Sequence, residues 1–304
     1  MAALFRALVT PWVDRLLRAS RPAEKLECSG IGLALGGGFA RGFAHLGVLK
    51  VLEQEKIPIA CIAGSSVGSM LGAAYASGAP LERIIEVCRG IRLKDFSRWR
   101  LSRMGLASNE RMGEIIRRGF LAQRFEDMKI PLAVVTTDLS SGEACIITQG
   151  DVVDPIRASC AYPGLFEPVE WNGRCLADGG LVAPVPTQAV AQMGSCCVVG
   201  VNVGFNNWNH GGPKNVFQVV ARSINAAQKN AGRTWERFAN LVIEPEVRTV
   251  EWDDFARCDE MVLAGAEAAR RSLPRIRELI QSSEERRKRN TIGAARLTQK
   301  PLVP

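Results

Sequence analysis

Several stretches of this chain are apolar without interruption, and others are apolar every third or fourth residue. Residues 30–35 (GIGLAL), 57–63 and 132–137 belong to the first kind. They have strand length, end in glycine or small polar residues, and show no polar alternation, which marks strands buried on both faces. Residues 41–55 and 67–77 belong to the second kind, the latter rich in small residues, as in a tightly packed helix. Strand, helix, strand, helix in that order predicts a parallel sheet covered on both sides. The same reading predicts strands at 144–148, 174–177, 196–203 and 241–243. It predicts helices at 109–120, 152–160, 214–230 and 259–281, the second of these ended by the Ala161-Tyr162-Pro163-Gly164 turn. The expected fold class is α/β, a three-layer α/β/α sandwich with a mostly parallel central sheet.

The flanks read differently. In residues 1–20, Leu4, Leu8, Trp12 and Leu16 recur every four positions, with Arg6, Arg15 and Arg18 on other faces and Pro11 interrupting. Such an arm packs on its own domain or on a partner subunit, or lies on an anionic membrane surface. A polar linker, SRPAEKLE, follows, so the expected division is an arm and linker at 1–27, a main domain at 28–283 and a basic, disordered tail at 284–304. Residues 91–107 look irregular. Arg92, Lys94, Arg98, Arg100 and Arg103 interleave there with Phe96 and Trp99, which suits a basic lid, a membrane-contact loop or a solvated surface segment.

Composition adds limits. Of 304 residues, 47% are apolar but only 6% aromatic, so the core is mostly aliphatic. The net charge of +8 is compatible with anionic partners, yet no nucleic-acid-binding module is visible and charge alone does not make one. Nine cysteines, an odd number with no C-x-x-C pair, and two distant histidines argue against a disulfide framework or a zinc site. Reduced, buried thiols and a cytoplasmic location are expected, with peripheral contact at the inner membrane surface as an addition. Neither a signal peptide nor an apolar run of spanning length is seen.

Three short motifs carry chemistry. Gly64-Ser65-Ser66-Val67-Gly68 matches G-x-S-x-G between a predicted strand and a predicted helix, the setting of a nucleophile elbow. The turn lifts the serine hydroxyl off the sheet and sets it at a helix N-terminus, where negative charge is favoured. Leu35-Gly36-Gly37-Gly38-Phe39-Ala40-Arg41-Gly42 also joins strand to helix. A dinucleotide loop would need glycines in another register and an acid after the second strand, and a Walker loop would need Gly-Lys-Ser/Thr. An oxyanion hole needs only unhindered amides beside the nucleophile. The 28 residues from Gly38 to Ser66 hold one helix and one strand, so the two loops would lie side by side at the carboxyl edge of the sheet. The third motif is Asp178-Gly179-Gly180, which taken alone is an ordinary turn.

Together these motifs resemble the patatin-like phospholipase family, in particular bacterial members related to neuropathy-target-esterase catalytic domains. Gly42-Phe43-Ala44-His45-Leu46-Gly47-Val48, Thr136-Thr137-Asp138-Leu139 and Ser159-Cys160-Ala161-Tyr162-Pro163-Gly164-Leu165-Phe166 agree with it, and the likeness covers residues 28–245. The resemblance implies a patatin-type sandwich and a lipid acyl hydrolase acting on phospholipids, lysophospholipids or simpler esters. It implies a dyad of Ser66 as nucleophile and Asp178 as base, with Gly64 and Gly68 flanking the elbow. Gly36, Gly37, Gly38, Phe39, Arg41 and Gly42 form the oxyanion and substrate loop, Arg41 bracing it or meeting a lipid phosphate. The family pattern commonly has glycine where this chain has Phe39. No metal or organic cofactor is implied, and oligomeric state is not readable. Two other readings stand beside this one: a Ser66, Asp178, His210 triad, and a non-catalytic scaffold that keeps a hydrolase fold.

Overall fold

A computed structural model describes residues 30–96, 98–99, 104–204, 212–213 and 216–298. The chain order begins β1 (Ile31–Leu35), a 3-10 turn (Phe39–Phe43), α1 (Ala44–Gln54), β2 (Ile59–Ser65), α2 (Val67–Ala76), α3 (Leu81–Gly90) and α4 (Leu93–Phe96). After the short hairpin strands β3 (Arg98–Trp99) and β4 (Ala107–Ser108) come α5 (Glu110–Gly119), β5 (Leu132–Asp138), β6 (Ala144–Ile147) and α6 (Val153–Ser159). The remainder is β7 (Val169–Trp171), β8 (Arg174–Asp178), α7 (Thr187–Gln192), β9 (Val198–Val201), α8 (Val216–Ala231), β10 (Leu241–Ile243) and α9 (Cys258–Thr298).

The central sheet has eight strands in the order β10-β9-β1-β2-β5-β8-β7, with β6 also on β5. From β10 to β5 all pairings are parallel, whereas β6, β8 and β7 are antiparallel additions. Alternation sorts the strands into two faces. Leu33, Leu35, Ile62, Val134 and Val199 join the large core that includes α1, α2 and α9, while Ala34, Ala63, Ala133 and Val135 pack towards α7. The expected α/β/α sandwich is what the chain forms.

One register detail positions the site. β6 occupies one edge of β5 along Val134–Thr137. Both β2 and β8 must therefore use the other edge. Ser65 of β2 pairs with Val135, and Asp178 of β8 pairs with the next residue, Thr136. The two strands approach along a single edge from opposite directions, and their C-terminal ends meet.

Some expectations need correction. The helix predicted at 259–281 continues to Thr298, so the backbone of 284–298 is helical rather than irregular. Its Glu- and Arg-rich sequence explains this, since such residues lose little side-chain freedom in a helix. The arm at 1–27 lies outside the described residues, as do residues 299–304. Cys196 is disulfide-bonded, against the expectation of reduced thiols throughout, whereas seven other described cysteines are free. The irregular segment at 91–107 contains the short helix α4 and the strand pair β3–β4. Among the described residues, no helix is long and apolar enough to cross a membrane.

Candidate active site

Ser66 stands between β2 and α2 with φ 53° and ψ −130°, a left-handed backbone that L-residues rarely adopt. The turn is tight because its flanks admit no side chain. A Cβ on Gly68 would overlap the Leu35 carbonyl oxygen, and one on Gly64 would overlap the backbone of Ser69. The Ser66 carbonyl accepts from the Ser69 amide at 2.8 Å and the Ser69 hydroxyl at 2.6 Å, starting α2. The Ser66 amide donates to Ser159 Oγ at 2.8 Å, and that hydroxyl donates to the Val135 carbonyl at 2.7 Å. Ser159 thus ties the elbow to the central strand.

The Ser66 hydroxyl donates to Asp178 Oδ2 at 2.7 Å. Oδ1 of the same carboxylate accepts the Gly180 amide at 2.7 Å. The Asp178 backbone is held on both sides: its amide donates to Ala161 O at 3.0 Å, and its carbonyl accepts Thr137 Oγ1 at 2.7 Å. At 2% exposure, burial pushes the Asp178 carboxyl up to about 7, against the pull of its bonds to Ser66 and Gly180. A carboxylate poised near neutrality suits proton transfer at physiological pH.

The glycine loop lies over the serine, since a Cβ on Gly37 would stand 3.2 Å from Ser66 Cβ. Its amides are not all aimed there. Gly36 N–H donates to Val201 O and Gly37 N–H to Pro184 O, each at 3.1 Å, and Ala40 N–H to Trp252 O at 3.0 Å. In this conformation the first two glycines fix the loop rather than face the nucleophile. The Gly38 amide has no such partner among the described residues.

Phe39, in the position where the family pattern has glycine, takes φ 49°, the backbone a glycine would adopt freely. Its ring meets Tyr162 and Trp252 edge-on, with centroids 5.2 and 5.0 Å apart. Arg41 does not line the cleft. It is buried, donates from Nε to Val250 O at 2.7 Å, and its pKa is lowered by desolvation, opposed by Glu251. Of its two expected roles, bracing the loop matches this placement. A side chain on Gly42 would collide with Val67, so the loop closes directly on α2.

His45 is fully buried, and desolvation pushes it down to about 4, so the ring is neutral. Its Nε2 lies 2.8 Å from Gly36 O, and because a carbonyl only accepts, Nε2 carries the hydrogen. His45 is therefore another brace of the loop. His210 lies outside the described residues. Sequence alone does not assign the roles of Ser159 and Thr137, although both sit in the stretches that carry the family resemblance, whereas His45 reads as a structural residue of the first helix.

Ser66 and Asp178 open onto a cleft of about 230 Å³, lined also by Gly37, Gly38, Phe39 and Tyr162 and walled opposite by α8. Near its floor, Gln228 Nε2 donates to Gly180 O at 2.5 Å, linking α8 to the turn after Asp178. No cluster of three or more metal-ligating side chains occurs among the described residues.

Comparison with known proteins bears on this arrangement. The chain is similar to an uncharacterized NTE family protein of Mycobacterium bovis, with 34% identity over 189 residues, covering 60% of this chain and 51% of that one. It is similar to a lysophospholipase NTE1 of Yarrowia lipolytica, with 28% identity over 291 residues, covering 85% of this chain and 20% of that one. The chain thus spans about half the length, or less, of these relatives. Among solved structures, VipD from Legionella pneumophila superposes with a TM-score of 0.51 at 15% identity, covering 84% of this chain and 67% of that one, a likeness of fold. The sequence pattern of the patatin-like phospholipases matches residues 33–191, more than half of the chain, and this protein belongs to that family.

Proposed function

We propose that this protein is a serine acyl hydrolase of lipid esters, with Ser66 as nucleophile and Asp178 as its base. The observation that carries this reading is the 2.7 Å bond between the two side chains at a strained strand-to-helix turn. The curated relatives named lysophospholipases make phospholipids and lysophospholipids the substrates to try first.

In this mechanism Asp178 takes the hydroxyl proton as Ser66 Oγ attacks the ester carbonyl carbon. The oxyanion forms beside the Gly38 amide and the N-terminus of α2, and one such donor is typically worth about 3–4 kcal/mol in the transition state. Collapse breaks the bond to the alcohol, which leaves with the proton held by Asp178. Water then attacks the acyl-serine, giving its proton to Asp178, and the free acid departs as Ser66 regains its hydrogen. The bond from Gly180 keeps the carboxylate oriented throughout, so that little reorganisation is needed at the moment of transfer.

The test is a hydrolysis screen over p-nitrophenyl esters, phospholipids and lysophospholipids with wild type, Ser66→Ala and Asp178→Asn. Turnover that persists in Ser66→Ala rejects the assignment. Replacing both histidines separates the dyad from a triad, because the dyad predicts retained turnover.

A further inference from the structure

Ser66 separates two spaces with different linings. On one side is the cleft, mixed in its lining, where Asn202, Asn225, Gln228, Lys229 and Arg233 accompany Asp178. On the other is a smaller pocket of about 40 Å³ behind the nucleophile. Met70, Phe96, Met112, Phe166 and Phe255 wall it, and besides the Ser66 hydroxyl the only heteroatom group among its lining side chains that can form a hydrogen bond as a donor is the Cys160 thiol. Burial and the nearby Asp178 raise that thiol's pKa, so it stays neutral. Ser66 and Phe39 are common to both spaces.

We propose, building on the hydrolase reading, that the acyl chain enters the apolar pocket while the alcohol occupies the cleft, where the hydrogen-bonding side chains are, and that Met112 and Phe96 form the wall that sets acyl length. Chemistry decides the sides. Each methylene moved from water into the pocket improves binding about fourfold, whereas a hydroxyl there would lose its hydrogen bonds. In the cleft, Asn225 Oδ1 is buried without a hydrogen-bond partner among the described residues and suits a hydroxyl donor on the alcohol. Of the two cations lining the cleft, Arg233 pairs with Glu236 and Glu244 and Lys229 is exposed, so the cleft offers the alcohol a buried hydrogen-bond acceptor rather than a buried positive charge. The fitting substrate is an ester of an alcohol that carries a second hydroxyl, as partial glycerol esters do.

Size sets the acyl group. Where one water-sized sphere needs roughly 10–15 Å³ by this kind of measure, 40 Å³ admits about three carbons. A longer chain must displace the wall. Phe96 and Met112 are each 4% exposed, and the Phe96 ring packs tilted against Phe255 with centroids 6.1 Å apart, Phe255 in turn meeting Phe43 edge-on at 5.7 Å. The aromatic side is braced, so the flexible Met112 of α5 is the element whose truncation lengthens the pocket.

The experiment is a ladder of p-nitrophenyl esters from acetate to palmitate, with glycerol monobutyrate beside p-nitrophenyl butyrate, using the full chain. In wild type, kcat/KM should fall beyond about four carbons, the carbonyl carbon at Ser66 and about three in the pocket. Met112→Ala should raise the decanoate-to-butyrate ratio about tenfold, and Met112→Phe should lower the hexanoate-to-acetate ratio, so a folding failure in one variant leaves the other. Asn225→Ala should reduce turnover of glycerol monobutyrate about tenfold relative to p-nitrophenyl butyrate without moving the ladder. Ser66-dependent turnover with a ladder unmoved by either Met112 variant, or moved by Asn225→Ala, overturns the assignment of sides alone. Absence of Ser66-dependent turnover with every ester removes the hydrolase reading and this inference with it.

Discussion

The Ser66 hydroxyl and the Asp178 carboxylate touch at 2.7 Å because β2 and β8 share one edge of β5, with Ser65 opposite Val135 and Asp178 opposite Thr136. The contact is a product of strand register, and a slip of β8 along β5 would separate the pair. Since register is strongly specified wherever a face of a sheet is buried, and Leu176, Ala177 and Asp178 of β8 are all buried, the pair is set by the core.

The burial that places Asp178 also sets its titration. Its carboxyl is pushed up to about 7, chiefly by desolvation. Only the ionised form accepts the Ser66 proton, so kcat/KM should rise with pH through about 7 and level off above it. A pH–rate profile on a neutral ester reads this directly, and a rising limb near 4 would mean that the carboxyl is not desolvated. Asp178→Asn keeps the shape but cannot accept a proton, and its rate should fall by roughly a thousandfold, within the 10²–10⁴ that a positioned general base typically contributes, because Ser66 remains but has no acceptor for its proton.

The same shift has a consequence for stability. A carboxyl whose pKa is higher folded than unfolded binds more protons in the native state between about 4 and 7. Its contribution is fully present below the unfolded pKa and is lost as pH rises through about 7. Asp178→Asn removes the buried charge, so the variant should be more stable than wild type above pH 7 by on the order of 2–4 kcal/mol. The difference should vanish towards pH 4. Chemical denaturation at pH 5 and pH 8 measures it, and a variant equally destabilised at both would contradict the argument.

Ser159 offers a test of support without contact with substrate. Its hydroxyl accepts the Ser66 amide and donates to Val135 O. Ser159→Ala leaves both groups buried and unpaired, at a cost of about 1–3 kcal/mol each before relaxation. The melting temperature should drop by several degrees, and kcat should fall about tenfold with KM nearly unchanged, because the elbow loosens while the cleft walls stay. Equal effects on kcat and KM would show that Ser159 shapes the cleft instead.

Much of this was legible in the chain. The apolar runs at 30–35, 57–63 and 132–137 announced a parallel sheet, and the glycines flanking Ser66 announced the elbow, because both are local patterns. What escaped was non-local. Nothing near Asp178 says which edge of β5 it will take, and nothing in the Gly36-Gly37 pair says that those amides bind Val201 and Pro184. The helix α3 escaped although Leu81, Ile84, Ile85 and Cys88 recur at helical spacing after Pro80 and are all buried. There the signal was present but lay beside the more conspicuous glycine motifs.

Gly68 supplies a prediction about packing. It lies in the first turn of α2, where a Cβ would overlap Leu35 O and stand 2.6 Å from the Leu35 carbonyl carbon. Neither partner can move easily, since Leu35 is fully buried and ends β1. Gly68→Ala should therefore cost at least the 1–3 kcal/mol typical of overpacking, despite alanine's better helix propensity. It should also move Ser66 and so reduce turnover. A variant of wild-type melting temperature would mean that α2 stands farther from β1 than described.

Phe39 poses the opposite contest. Its φ of 49° costs about 1–2 kcal/mol for an L-residue, so Phe39→Gly relieves strain. Glycine returns part of that gain, roughly 0.5–1 kcal/mol, through the greater freedom of the unfolded chain. The variant also loses two edge-on aromatic contacts, with Tyr162 and Trp252, each worth about 0.5–1.5 kcal/mol, and the burial of a partly covered ring. The losses exceed the relief, and Phe39→Gly should be less stable by about 1–3 kcal/mol in chemical denaturation. Because Phe39 borders both the cleft and the apolar pocket, the variant should also tolerate bulkier esters than wild type. A rise in stability would show that strain at this position outweighs the aromatic contacts.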